Sequence, residues 1–172
     1  MTTIKDIMQV GVGVPDRDKF ETFAQDVLGF PTSRSPNGLI SYARADVYHH
    51  RIAARTAAQP VLDYLSFDVG GAEELGGWKS KLEAQAIKWR SGNSEERAAR
   101  RVADFIEFAD PDGHTLALSY GFETELSPPR YTREVKVLRL GHALLTVGDI
   151  QRSHDFYTGL LGFRLSDWVI VA

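Results

Sequence analysis

"QVGVGVPDRDKFETFAQDVLGF" (Gln9–Phe30) and "HALLTVGDIQRSHDFYTGLLGF" (His142–Phe163) lie on one another without a gap when the chain is shifted by 133 positions. Val14 meets Val147, Asp16 meets Asp149, Phe23 meets Phe156, and Leu28-Gly29-Phe30 meets Leu161-Gly162-Phe163. Each copy reads as a strand, an Asp suited to cap a helix, an amphipathic helix, and a Gly suited to a left-handed turn at the helix end. A third, weaker copy begins at Leu62, "LDYLSFDVGGAEELGGWKSKLEAQAI". Its Leu65, Phe67 and Val69 alternate with Ser66 and Asp68 at strand period, and Leu75, Trp78 and Leu82 recur at helix spacing.

Short strand candidates fill the intervals. "LISYARA" (Leu39–Ala45) and "HHRIAAR" (His49–Arg55) follow the first helix; "VADFIEFAD" (Val102–Asp110) and "TLALSYG" (Thr115–Gly121) follow the second. Turns are marked by Pro36-Asn37-Gly38 and by Asp110-Pro111-Asp112-Gly113. Each unit therefore reads βαβββ, and the fold class is α+β with paired modules. The pair spans residues 1–121, a Pro-containing linker 122–137, and a third module starts at Leu138 and is cut off in its second strand, within 138–172.

Bulk properties exclude several functions. There is no cysteine, so disulfides, thiolate catalysis and Cys-ligated zinc are ruled out. A net charge of −3 offers nothing to nucleic acid or an anionic membrane surface. No stretch approaches the ~20 apolar residues of a membrane helix, and the first residues do not form a signal peptide. The expected setting is the cytoplasm. The basic cluster "EERAARR" (Glu95–Arg101) is interleaved with acids and reads as a solvated face.

Paired βαβββ modules with "LGF" after the first helix and "DPDGHTLAL" at the last strand resemble the vicinal oxygen chelate superfamily. "DVYHHRIAAR", "LDYLSFDV", "ERAARRVADFIEFADPDGHTLALSYGFE", the Pro-containing linker and "LGHALLTVGDI", in that order, look like a type I extradiol ring-cleavage dioxygenase. The resemblance implies a metal-free N-terminal pair and the start of a C-terminal pair that binds Fe(II), with Mn(II) as the alternative metal. It also implies a ligand on the first strand of each module and a glutamate on the last strand. At those positions the first pair has Gln9, Tyr64 and Ala117, none of which completes a His₂–carboxylate set. In module three the ligand position is His142. Strand alternation would place His142, Leu144 and Thr146 on one face, with Leu144 bordering an aromatic substrate.

Such a site would hold a catechol-type substrate and O2 together on iron and take a catechol proton with a nearby base. Of these parts the chain contains only His142, and no catalytic residue lies within it. The expectation is the N-terminal part of a longer, homo-oligomeric dioxygenase, inactive as 172 residues. The alternative is a metal-free protein that sequesters a small molecule, of the glyoxalase/bleomycin-resistance type. A third reading joins His142 to His49 or His50 of a second copy. Adjacent strand histidines point to opposite faces, so His49 and His50 should not chelate together. His114 reads as a turn residue and His154 as a surface residue. Asp110 and Asp112 are explained by the D-P-D-G turn. "GVGVPD" lacks phosphate-loop spacing, and no Ser-centred elbow appears.

Overall fold

In both copies of the repeat an aspartate opens the helix with the same backbone. Asp16 has φ −138° and ψ 106°, and its carboxylate accepts the Lys19 N–H; Asp149 has φ −140° and ψ 108° and accepts from Gln151 and Arg152. The helix ends match as well. Gly29 and Gly162 both turn left-handed, at φ 74° and 75°. Phe30 N–H donates to the Ala24 carbonyl and Phe163 N–H to that of Tyr157, at the same spacing. The helix starts and ends of the repeat read from the sequence are thus alike in both copies.

The computed structural model describes residues 2–134 and 137–168. Module one runs β1 (Asp6–Val14), α1 (Arg17–Asp26), β2 (Thr32–Arg34), β3 (Ile40–Ala43) and β4 (Ile52–Thr56). Module two runs β5 (Val61–Asp68), α2 (Ala72–Ala84), β6 (Trp89–Ser91), α3 (Ser94–Arg100), β7 (Asp104–Ala109) and β8 (Thr115–Tyr120). The strands form one sheet in the order β2-β3-β4-β1-β5-β8-β7-β6. β1 pairs antiparallel with β5, and each runs parallel to the last strand of its own module. The two modules are therefore related about the β1–β5 seam.

One sheet face carries α1 against β3 and β4, and α2 against β7 and β8. Leu75, Trp78 and Leu82 of α2 are buried on Leu65, Phe67, Ile106, Phe108, Leu116 and Leu118. Burial of such side chains, at ~25 cal/mol per Å² of apolar surface, is what drives helix and sheet together. The other face is concave and mixed in polarity. There Ser66 and Ser119 share a hydrogen bond of 2.8 Å, and Gly11 leaves room for the Tyr64 ring. A Cβ on Gly11 would stand 2.1 Å from that ring, so only glycine fits.

Several expectations need correction. The "EERAARR" stretch contains most of α3, closed at its N-terminus by an Asn93/Glu96 capping box, and it lies over the concave face rather than wholly in solvent. His49 and His50 precede β4, which starts at Ile52. The linker is tied to module one. Arg44 pairs with Glu125, Tyr131 donates to the Ala45 carbonyl, and Thr132 N–H donates to that of Gly29. It runs back over module one.

Module three shows its helix but no strand among the described residues. α4 (Ile150–Asp155) passes into a π-helical turn (Phe156–Leu160). Residues 138–148, expected as the first strand, pair with no other strand. Alternation alone cannot make a strand, because its N–H and C=O groups need a ladder partner. The second strand expected in "FRLSDWVIVA" is likewise absent up to Trp168, and its last residues, 169–172, lie outside the described ones.

Candidate metal and ligand positions

The positions where a metal-loaded pair would hold its ligands converge on the concave face. Gln9 on β1 lies opposite Ser66 on β5, Ser66 opposite Ala117 on β8, and Ala117 opposite Glu107 on β7. Tyr64, two residues before Ser66, lies opposite Gly11. Cross-strand partners share a face, so all of these point into one cup. The donors do not suit a divalent metal. Gln9 Nε2 donates to the Arg100 carbonyl at 2.9 Å, and burial pushes the Tyr64 hydroxyl up to about 12. Ala117 has no donor. Arg100 enters the cup from the end of α3, with its guanidinium carbon 3.7 Å from the Tyr64 ring centre and 4.0 Å from that of Phe105. It pairs with Glu107, which also binds Arg90. The cavity that remains beside it is about 440 Å³.

His142 is exposed and lines a separate groove of about 410 Å³, between the start of β1 and the module-three helix. Lys5, Asp6, Phe67, Tyr157 and Phe163 share that groove. Leu144 is 99% exposed, and Leu145 rather than Leu144 faces the groove. The alternation expected of a strand is therefore not the one this segment adopts. Among the described residues no three His, Cys, Asp or Glu side chains gather to hold a metal.

The D-P-D-G turn does more than turn. Asp110 accepts the N–H groups of Asp112 and His114, the His114 Nδ1 (2.9 Å) and the Tyr157 hydroxyl (2.8 Å). Asp112 accepts from Gly148 N–H (2.9 Å), Arg152 (3.0 Å) and Ser153 Oγ (3.0 Å). Two carboxylates of module two thereby hold the start and the middle of the module-three helix. Burial would raise Asp110, but its hydrogen bonds from His114, Tyr157 and the backbone outweigh it and hold the carboxyl below its ordinary range. The Gly148 N–H does most to hold Asp112 below its own. Burial, and then the bond to Asp110, push the Tyr157 hydroxyl up. Apolar contact completes the joint: Leu160 and Leu161 are buried, and Phe163 meets Phe67 at 5.6 Å between ring centres. His114 is accordingly a partner of Asp110, a role its place in the turn did not announce. The only sequence signal for the joint was the pair of carboxylates itself.

The two adjacent histidines are brought together, contrary to expectation. The bend before β4 sets His49 Nδ1 3.0 Å from His50 Nδ1, with the Tyr42 ring against both. Burial first, then the charges around it, push His50 down to about 3. It folds in as a neutral ring, so an unfolded chain binds a proton near pH 6.5 that the native chain refuses. Stability linked to His50 is thus full above pH 6.5 and falls as the pH drops towards 3. From pH 7 to pH 5 we expect a loss of about 2 kcal/mol from this residue. Urea midpoints of the parent and a His50→Asn variant at both pH values would measure it; equal pH slopes would refute it.

Comparison with known proteins agrees with this architecture. The Glyoxalase/Bleomycin resistance protein/Dioxygenase superfamily matches residues 139–169. The chain is 30% identical over 162 residues to a 1,2-dihydroxynaphthalene dioxygenase of Pseudomonas sp. (strain C18), covering 90% of this chain and 53% of that protein. It is 27% identical over 169 residues to an iron-dependent extradiol dioxygenase of Rhodococcus jostii (strain RHA1), covering 96% and 56%. A crystal structure of a catechol 2,3-dioxygenase superposes with a TM-score of 0.86 at 25% identity, over 93% of this chain and 58% of that one. The chain thus spans a little over half the length of these relatives.

Proposed function

We propose that this chain, which has the fold of the vicinal oxygen chelate superfamily and relatives that are extradiol ring-cleavage dioxygenases, carries the scaffold pair and the entry to the metal-binding pair of such an enzyme. The substrate class is a catechol-type aromatic cleaved with O2, and the metal is Fe(II), with Mn(II) as the alternative. The observation that carries the reading is an asymmetry. The ligand positions of the first pair hold Gln9, Tyr64 and Ala117, whereas the corresponding position of the third module holds His142. In this reading His142 is a metal ligand and Leu144 borders the substrate. Both belong to a segment that has no strand partner among the described residues, and both are exposed.

One histidine does not make an iron site, so the described residues do not fit the metal as they stand. The first pair's part in the function is to dock the module-three helix through Asp110 and Asp112. The other ligands and the base would come from outside the described residues. A cytoplasmic homo-oligomer with no nucleic-acid or membrane partner completes the proposal. Among the described residues no helix is long and apolar enough to cross a membrane.

The test has two steps. The 172-residue chain, loaded anaerobically with Fe(II) and given catechol or 2,3-dihydroxybiphenyl with O2, should produce no ring-opened product. The protein from its native source should weigh more than 19.2 kDa, cleave catechols and lose that activity on His142→Ala. A native protein of 19.2 kDa without ring cleavage would sink the dioxygenase reading.

A further inference from the structure

We propose that the concave face of the first module pair is a binding site for a planar organic cation, and that the chain fills it with its own Arg100. This goes beyond the dioxygenase reading and does not depend on it. In a paired-module fold the cup is where a cation is expected. Here the three ligand positions hold no metal donor set, and the end of Arg100 lies among them. Gln9 Nε2 holds the Arg100 carbonyl, the Tyr64 ring lies beneath the guanidinium, and Ala117 sits opposite Glu107, the guanidinium's anion.

The chemistry of the cup is specific for a guanidinium. Tyr64 and Phe105 each present a ring to its carbon, at 3.7 and 4.0 Å. Aromatic faces attract cations, and a flat, weakly hydrated ion gains most from stacking. Glu107, 8% exposed, accepts from Arg100 Nη2 through one carboxylate oxygen, while its other oxygen pairs with Arg90. A divalent metal would instead need several oxygen or nitrogen donors at short range, and among the described residues no three His, Cys, Asp or Glu side chains gather to provide them. The neighbouring glycines serve the same arrangement. Cβ atoms on Gly11 and Gly92 would stand 2.1 Å from the Tyr64 and Phe105 rings respectively. Both rings are thereby free to approach Arg100.

The experiment is a cation-exchange test on the 172-residue chain. Arg100→Ala should lower the Tm by about 10 °C, since it leaves Glu107 with only the half-exposed Arg90. Low-millimolar guanidinium chloride, far below denaturing concentrations, should recover at least half of that loss. Sodium chloride at equal ionic strength and Mn(II) should not. Arg100→Met, which restores bulk without charge, should remain well below the parent. A folded Arg100→Ala protein that guanidinium does not stabilise, that Mn(II) stabilises instead, or an Arg100→Met protein as stable as the parent, would each overturn the proposal. If Arg100→Ala does not fold, Glu107→Gln decides. It keeps the arginine and the shape of the cup, and an unchanged Tm would overturn the proposal just as well.

Discussion

Asp110→Ala should destabilise the chain by about 4 kcal/mol, the sum of two losses that a turn residue alone would not show. The first is local. Asp110 accepts the N–H groups of Asp112 and His114, which shape the turn between β7 and β8. The second is remote. Its other oxygen takes the Tyr157 hydroxyl and His114 Nδ1, so the substitution strands a half-buried phenol at the joint with module three. Asp110 is 5% exposed, so water would not readily replace it. Hydrogen exchange should separate the two losses. Amides of residues 150–160 should lose protection in Asp110→Ala at denaturant concentrations where the sheet is intact. Exchange unchanged in that segment would show that the joint does not depend on this carboxylate.

The same group has a defined pH window. Its hydrogen bonds hold the folded carboxyl below its ordinary value. Its contribution is therefore complete above about pH 4, where an unfolded aspartate ionises, and is lost as the pH falls through the lower folded value. This lies on the acid side of the His50 window. Acid unfolding should thus begin with His50, in the bend before β4, and reach the module-three joint last.

Trp78→Ala should cost about 4 kcal/mol and abolish cooperative unfolding near body temperature. Trp78 is fully buried at the centre of α2, between Leu75 and Leu82, and no larger side chain is so completely enclosed. The cost is the lost transfer of the indole plus the cavity left between helix and sheet. Trp78→Phe is the informative control. The indole Nε1 is buried with no hydrogen-bond partner among the described residues. Phenylalanine removes that unmet donor while keeping most of the ring, so it should cost under about 1.5 kcal/mol. Urea denaturation of both variants measures the difference; equal losses would mean that packing is not what Trp78 supplies.

Most of the βαβββ order was legible because its signals are local; the three-residue strands β2 and β6 carry no such signal and were not named. An aspartate at a helix start, a glycine at its end and apolar residues at strand or helix spacing act within a few residues of themselves. Asp16 and Asp149, and Gly29 and Gly162, accordingly have matching conformations.

The sequence by itself determined that this protein is built from repeated modules, and it set Gln9, Tyr64 and Ala117 in the first pair against His142 in the third. Tertiary structure decided where Arg100 lies, what joins the third module to the pair and which histidines touch. Arg100 reads as one more charge in "EERAARR" until β7 brings Glu107 beneath it. Asp112 reads as a turn residue until Gly148, 36 positions later, donates to it. His49 and His50 meet only because β4 starts after them. The physical reason is common to all three. A charge or hydrogen-bonding group declares its need in the sequence, but the partner that meets it is chosen by the fold, at distances along the chain that no local pattern spans.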